Sequence, residues 1–134
     1  LRRGLSFVAF GLVYFIVAYA SIPLATGSAA QVRGWRLAAW AVCAVNFAAH
    51  IAFEQRRLRS APAQTALYVA AAVAIGAFGL ALAALVRAVV TGTGQPALLA
   101  IAMLAWPLVT AVPAYLVAFA AAVVMTRIPD RRSP

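Results

Sequence analysis

Residues 65–86 read TALYVAAAVAIGAFGLALAALV, and no charged side chain interrupts them. At about 1.5 Å of rise per residue, a helix of this length matches the ~30 Å hydrocarbon layer of a bilayer, which needs about twenty apolar residues in a row. A surface helix of a water-soluble domain would show a polar face somewhere along such a run. The block therefore predicts a membrane-spanning helix over about 65–88.

Three further apolar blocks lie on either side of it, at about 5–25, 37–53 and 97–125. Over the whole chain, 134 residues are 66% hydrophobic and only 10% charged, with a mean hydropathy of +0.99. Soluble domains sit at roughly half apolar and about a quarter charged, so a soluble core of this size could not hide the excess. Lipid solvates it directly. The expected architecture is all-α: one domain over 1–134, with four transmembrane helices in an up-down bundle.

The connections support that division. Thr26 to Gly34 is small and polar and leads into Trp35-Arg36, an indole beside a guanidinium, a pairing suited to the membrane interface. Glu54 to Gln64 is the most polar loop, carrying Arg56, Arg57 and Arg59, and Thr91 to Pro96 is a Gly/Thr-rich turn. The second block is the shortest, and Arg36 and Arg57 at its ends can snorkel to make up its length. The first block also has the layout of a signal peptide, with Ala18-Tyr19-Ala20 as a cleavage site, but is read as a retained helix. The tail from Thr126 is short and solvated.

A net charge of +9 in a soluble chain would suggest nucleic acid. All eleven basic residues are arginines, however, and they cluster at block ends instead of forming a stripe interleaved with aromatics. That distribution serves orientation and anionic headgroups, and no nucleic-acid partner is expected. Arg2, Arg3, Arg56, Arg57, Arg59, Arg127, Arg131 and Arg132 fall on one side of the predicted membrane, and Arg33, Arg36 and Arg87 on the other. The eight-to-three bias predicts an N-in/C-in orientation. Arginine without lysine, with abundant alanine, reflects a GC-rich bacterial genome and hence an inner (cytoplasmic) membrane.

Polar side chains inside a span are costly and raise a functional question by default. The second block holds nearly all of them: Cys43, Asn46, His50 and Glu54, spaced by three, four and four, share one side of a 3.6-residue helix, and Arg57 continues the series. One reading is a polar track in which His50 and Glu54 pass a proton or hold a cation. The other is an interhelical hydrogen-bond stripe, with Asn46 and His50 bonded to Tyr14, Tyr68 or Tyr115 and Glu54 paired with Arg57 or Arg59; it is favoured here. Both place His50 inside the bundle as a neutral ring with a hydrogen-bond partner.

Packing signals lie on the last two blocks. Ala72, Gly76, Gly79 and Ala83 line one face of the third helix and permit close helix approach. Pro107 and Pro113 each delete a backbone hydrogen bond from the fourth and favour kinks.

One histidine, one cysteine and two acids are too few for a metal or haem site within one chain, and no base stands at a recognisable spacing from a Ser or Cys nucleophile. No cofactor, metal or enzymatic activity is expected. Small four-helix multidrug exporters are of similar length but carry a glutamate deep in the first helix, where this chain has Tyr14 and Tyr19. The expected role is a structural or accessory subunit of a membrane complex or homo-oligomer. The competing expectation is an oligomeric transporter or channel for a small solute, ion or proton, its path lined by the Asn46–His50–Glu54 face.

Overall fold

The computed structural model describes residues 2–24 and 27–127, with side chains for 5–23 and 27–127. Arg2, Arg3, Arg131 and Arg132, counted above for orientation, lie outside the described side chains. The described chain is all-α. Its helices are α1 (Arg2–Leu24), α2 (Ala29–Arg56), α3 (Pro62–Thr91) and α4 (Pro96–Arg127), and each contains a stretch long and apolar enough to cross a membrane.

Helix α2 departs most from the sequence reading. It begins at Ala29 instead of Leu37, so the 28-residue α2 is longer than the 23-residue α1, and Trp35 and Arg36 lie within it, both exposed. The cause is a capping box at Ser28: the Gln31 N–H donates to Ser28 Oγ at 3.3 Å, and the Ser28 N–H donates to Gln31 Oε1 at 2.9 Å. Two orphan amides at the helix start are satisfied reciprocally, and the helix nucleates there regardless of where the hydrocarbon begins. At its other end α2 runs through Glu54 to Arg56, leaving a connection of only residues 57–61.

Helix α3 starts on Pro62, whose missing N–H is harmless in a first turn, and ends on Gly92 in the left-handed conformation at φ 66°. Helix α4 is continuous through Pro107 and Pro113. Thr110, between the two prolines, donates to the Trp106 carbonyl at 2.9 Å and the Pro107 carbonyl at 3.1 Å. Its hydroxyl is thereby satisfied within the helix.

The core is narrow and made mostly of alanine. Ile51, Ala66, Val69 and Ala118 form its central cluster, with Phe47, Tyr115, Ala121 and Met125 packed around it. Helix α3 packs most extensively on α4 and then on α1, whereas the backbones of α1 and α4 do not approach each other closely among the described residues. The α1–α3 contact runs through glycine. A Cβ added at Gly76 would stand 2.5 Å from Tyr14 Cβ, one at Gly79 2.8 Å from the Phe15 ring, and one at Gly11 2.9 Å from Ile75. The backbones therefore approach more closely than any larger residue allows.

Large apolar side chains point outward instead. Trp40 is 77% exposed and Leu104 73%. In water, such a surface would drive aggregation; in a bilayer it is the solvated face. The four helices and this inverted burial make the chain a multi-pass membrane protein in form.

Candidate functional site

Helix α2 turns the polar stripe of its second half inward. Cys43 and Asn46 are half-buried, while His50 and Glu54 are wholly buried. The 3.6-residue period that aligns these four also places Leu37, Ala41, Ala44, Val45 and Ala48 on the opposite side, and all five are exposed.

Partners for the inward face come from α1 and from the α2–α3 loop. Asn46 Nδ2 donates to the Phe10 carbonyl at 3.3 Å. The Tyr14 hydroxyl is buried beside Asn46 but makes no hydrogen bond of good geometry among the described residues. The imidazole of His50 lies flat on the Phe10 ring, with centroids 4.1 Å apart and planes 8° from parallel. Neither of its ring nitrogens has a hydrogen-bond partner among the described residues, and Nε2 stands 3.8 Å from Glu54 Oε1.

For His50 this corrects the expected tyrosine partners. Tyr68 stacks on Phe7 and Tyr115 on Phe119, so both aromatic rings are engaged elsewhere. The residue that holds His50 is Phe10, which offers a face and not a hydrogen-bonding atom.

Glu54 also differs from its expected place in the headgroup layer beside an arginine. Its Oε2 accepts from Ser60 Oγ at 2.8 Å, its Oε1 accepts a long hydrogen bond from Ser6 Oγ at 3.5 Å, and no arginine pairs with it among the described residues. The reason is the path of the loop. Arg59 adopts φ 48°, which turns the chain back so that the Ser60 N–H reaches the Glu54 carbonyl at 3.1 Å. The serine hydroxyl then arrives at the carboxylate, while Arg56, Arg57 and Arg59 remain exposed.

The loop has a second tie. Gln55 Nε2 donates to the Ser60 carbonyl at 3.1 Å and to Thr65 Oγ1 at 2.7 Å. Ser6, Phe10, Gln55, Ser60 and Thr65 thus complete a site in which sequence spacing identified only the α2 stripe. Ser6 carried one available signal, a hydroxyl in the otherwise apolar first half of a span.

The remaining expected positions fall elsewhere. Ala72, Gly76 and Gly79 serve the α1 contact within the chain, and Ala83 is half-buried farther along α3. Pro113 is exposed, and Pro107 borders an open apolar groove of about 430 Å³ between α3 and α4 that also involves Ile75, Phe78, Met103 and Leu104. Cys43 is a free thiol, and no three metal-ligating side chains come together among the described residues.

Chemically, the site is a carboxylate held by hydroxyls with an uncommitted imidazole one helical turn away. A shift of about 1 Å would bring the pair into hydrogen-bond range. Comparison with known proteins adds no assignment, since no family model, curated protein or solved structure matches the chain significantly.

Proposed function

We propose that the chain crosses a bacterial inner membrane four times in up-down order with both termini cytoplasmic, and acts as a structural or accessory subunit of a membrane complex or homo-oligomer. The helix pairings support the alternating order. Contacts advance together along α1 and α3, from Phe7–Tyr68 to Phe15–Gly79, and in opposite senses along α1 and α2, from Ser6–Glu54 to Phe10–Asn46.

The observation that carries the accessory role is the division of α2 into two faces. Its polar face is closed against α1 and the loop, whereas Ala41, Ala44 and Ala48 form an open strip of small residues beside Leu37 and Val45. In lipid, close backbone approach is a principal source of helix association, and such a strip suits a neighbouring helix. Ala44→Cys in a Cys43→Ser background should crosslink to a second copy or to a copurifying membrane protein after mild detergent extraction. Recovery of the monomer alone, with no crosslinked product at this or the Ala48 position, would refute the accessory role.

One observation favours the transport reading: the His50 nitrogens stand unpartnered beside a buried carboxylate. These groups face α1 of the same chain, so a path lined by them would run within one chain and not between copies. Under this reading His50→Ala abolishes proton or cation flux into reconstituted vesicles while the protein stays folded. Flux no greater than that of empty vesicles removes it.

A further inference from the structure

The α2–α3 connection is held more firmly than a five-residue surface turn requires. The Arg57 and Leu58 N–H groups both donate to the Phe53 carbonyl, at 2.9 and 3.3 Å, and Ser60 is tied to Glu54 through both its N–H and its hydroxyl. Gln55 then fastens the Ser60 carbonyl to Thr65 at the start of α3. At the apex, Arg59 occupies the left-handed region at φ 48° and is the only non-glycine residue to do so among the described residues. Glycine or asparagine is the usual occupant of such a position. What arginine adds there is a guanidinium.

Among the described residues, nothing compensates the charge on this loop. Arg56, Arg57 and Arg59 are exposed, and among the described residues none pairs with a carboxylate. The one acid among the described residues, Glu54, is fully buried and faces Ser60, Ser6 and His50. The same turn that brings Ser60 to Glu54 therefore leaves three guanidiniums within four residues facing outward.

We propose that this loop is a binding site for the phosphate groups of an anionic membrane lipid, with Arg56, Arg57 and Arg59 supplying the donors. Guanidinium forks match phosphate oxygens in bidentate geometry and form short, charge-assisted hydrogen bonds. The loop stands where headgroups lie, between the last apolar turn of α2 at Phe53 and the first turn of α3 at Pro62. Three cations exceed the charge of one phosphodiester, so the lipid that fits best carries two phosphates. The site rests on the chain being embedded in a bilayer and is independent of the accessory role.

The test uses the chain reconstituted into phosphatidylcholine vesicles doped with cardiolipin, then extracted in neutral detergent and weighed by native mass spectrometry. The wild type should retain cardiolipin in preference to phosphatidylcholine. Each Arg→Gln substitution should weaken retention by about fivefold, the scale of one cation near an anionic surface, and the triple substitution by about a hundredfold. Arg59→Gly, which accepts the same φ, should show the single-arginine loss with the turn intact.

Ser60→Ala keeps all three charges and the backbone bond to the Glu54 carbonyl but cuts the hydroxyl tie to the Glu54 side chain, and it too should lower retention; if it does not fold, Gln55→Ala replaces it. Retention unchanged in the folded triple variant, or unchanged in the folded tie variant, overturns the site, the latter by showing that diffuse charge suffices. Displacement of cardiolipin by excess inorganic phosphate, but not by chloride of equal ionic strength, would make soluble phosphate the ligand and overturn the lipid assignment. Failure to enter vesicles at all would instead refute the membrane reading on which the proposal stands.

Discussion

On the Glu54 carboxylate, Ser60 supplies a short hydroxyl hydrogen bond and Ser6 a long one, whereas His50 one turn earlier has none on either ring nitrogen. Their burial therefore has different consequences. Removing the carboxylate by Glu54→Ala takes the side-chain acceptor from the buried Ser60 hydroxyl and loosens the loop, at a cost of about 2–4 kcal/mol. His50→Phe removes no hydrogen bond and keeps an aromatic face against Phe10, so its effect should stay within about 1 kcal/mol. Thermal unfolding in detergent, followed by the reactivity of Cys43, separates the two. Equal destabilisation would mean that His50 is bonded after all. Spacing alone placed Cys43, Asn46, His50 and Glu54 on one face, because helical periodicity is local. It could not name Phe10, Ser6 or Ser60 as partners, since those arrive from another helix and from a loop whose turn depends on a left-handed arginine.

Elements begin and end on backbone chemistry, while hydropathy marks only where the hydrocarbon starts. Ser28 shows the difference: the capping box starts α2 eight residues ahead of the apolar block at Leu37. Ser28→Ala should cost about 1 kcal/mol and fray the first turn, read as faster amide exchange at residues 29–32. Unchanged exchange there would mean that packing, and not the cap, sets the start.

Glycines test the helix contacts in the same way. Gly76→Ala forces a methyl to 2.5 Å from Tyr14 Cβ and should destabilise the α1–α3 pair by about 1–3 kcal/mol. Gly34→Ala meets nothing within 4 Å and should stabilise α2 by up to about 1 kcal/mol. Similar midpoints for the two variants in a denaturing-detergent titration would contradict the close approach. The small-residue face of α3 was legible as a packing face, but whether it served a partner or α1 was not, because both uses require the same residues.

For the molecule as a whole, the uneven arginine distribution argues for orientation and the structure supplies positions at which to test it. In a Cys43→Ser background, Ala61→Cys in the α2–α3 loop should react with a membrane-impermeant maleimide only after the cells are opened. Thr93→Cys, beyond α3, should react in intact spheroplasts. Both positions are exposed, so access is set by the membrane and not by folding. The reverse pattern would invert the topology, and labelling of both from one side would mean that α3 does not cross.

The sequence by itself determined that four apolar helices exist, that their natural solvent is lipid, and that the polar residues of α2 share a face. Each of these depends on composition or on the short-range period of a helix, and so is present in the chain before it folds. Tertiary structure alone decided that α2 turns this face toward α1, that α3 spends its glycines on α1, and that Glu54 is drawn inward to Ser60, leaving the loop arginines without a counter-charge among the described residues. Those outcomes depend on contacts between residues distant in sequence, and on one backbone reversal at Arg59 that no periodicity encodes.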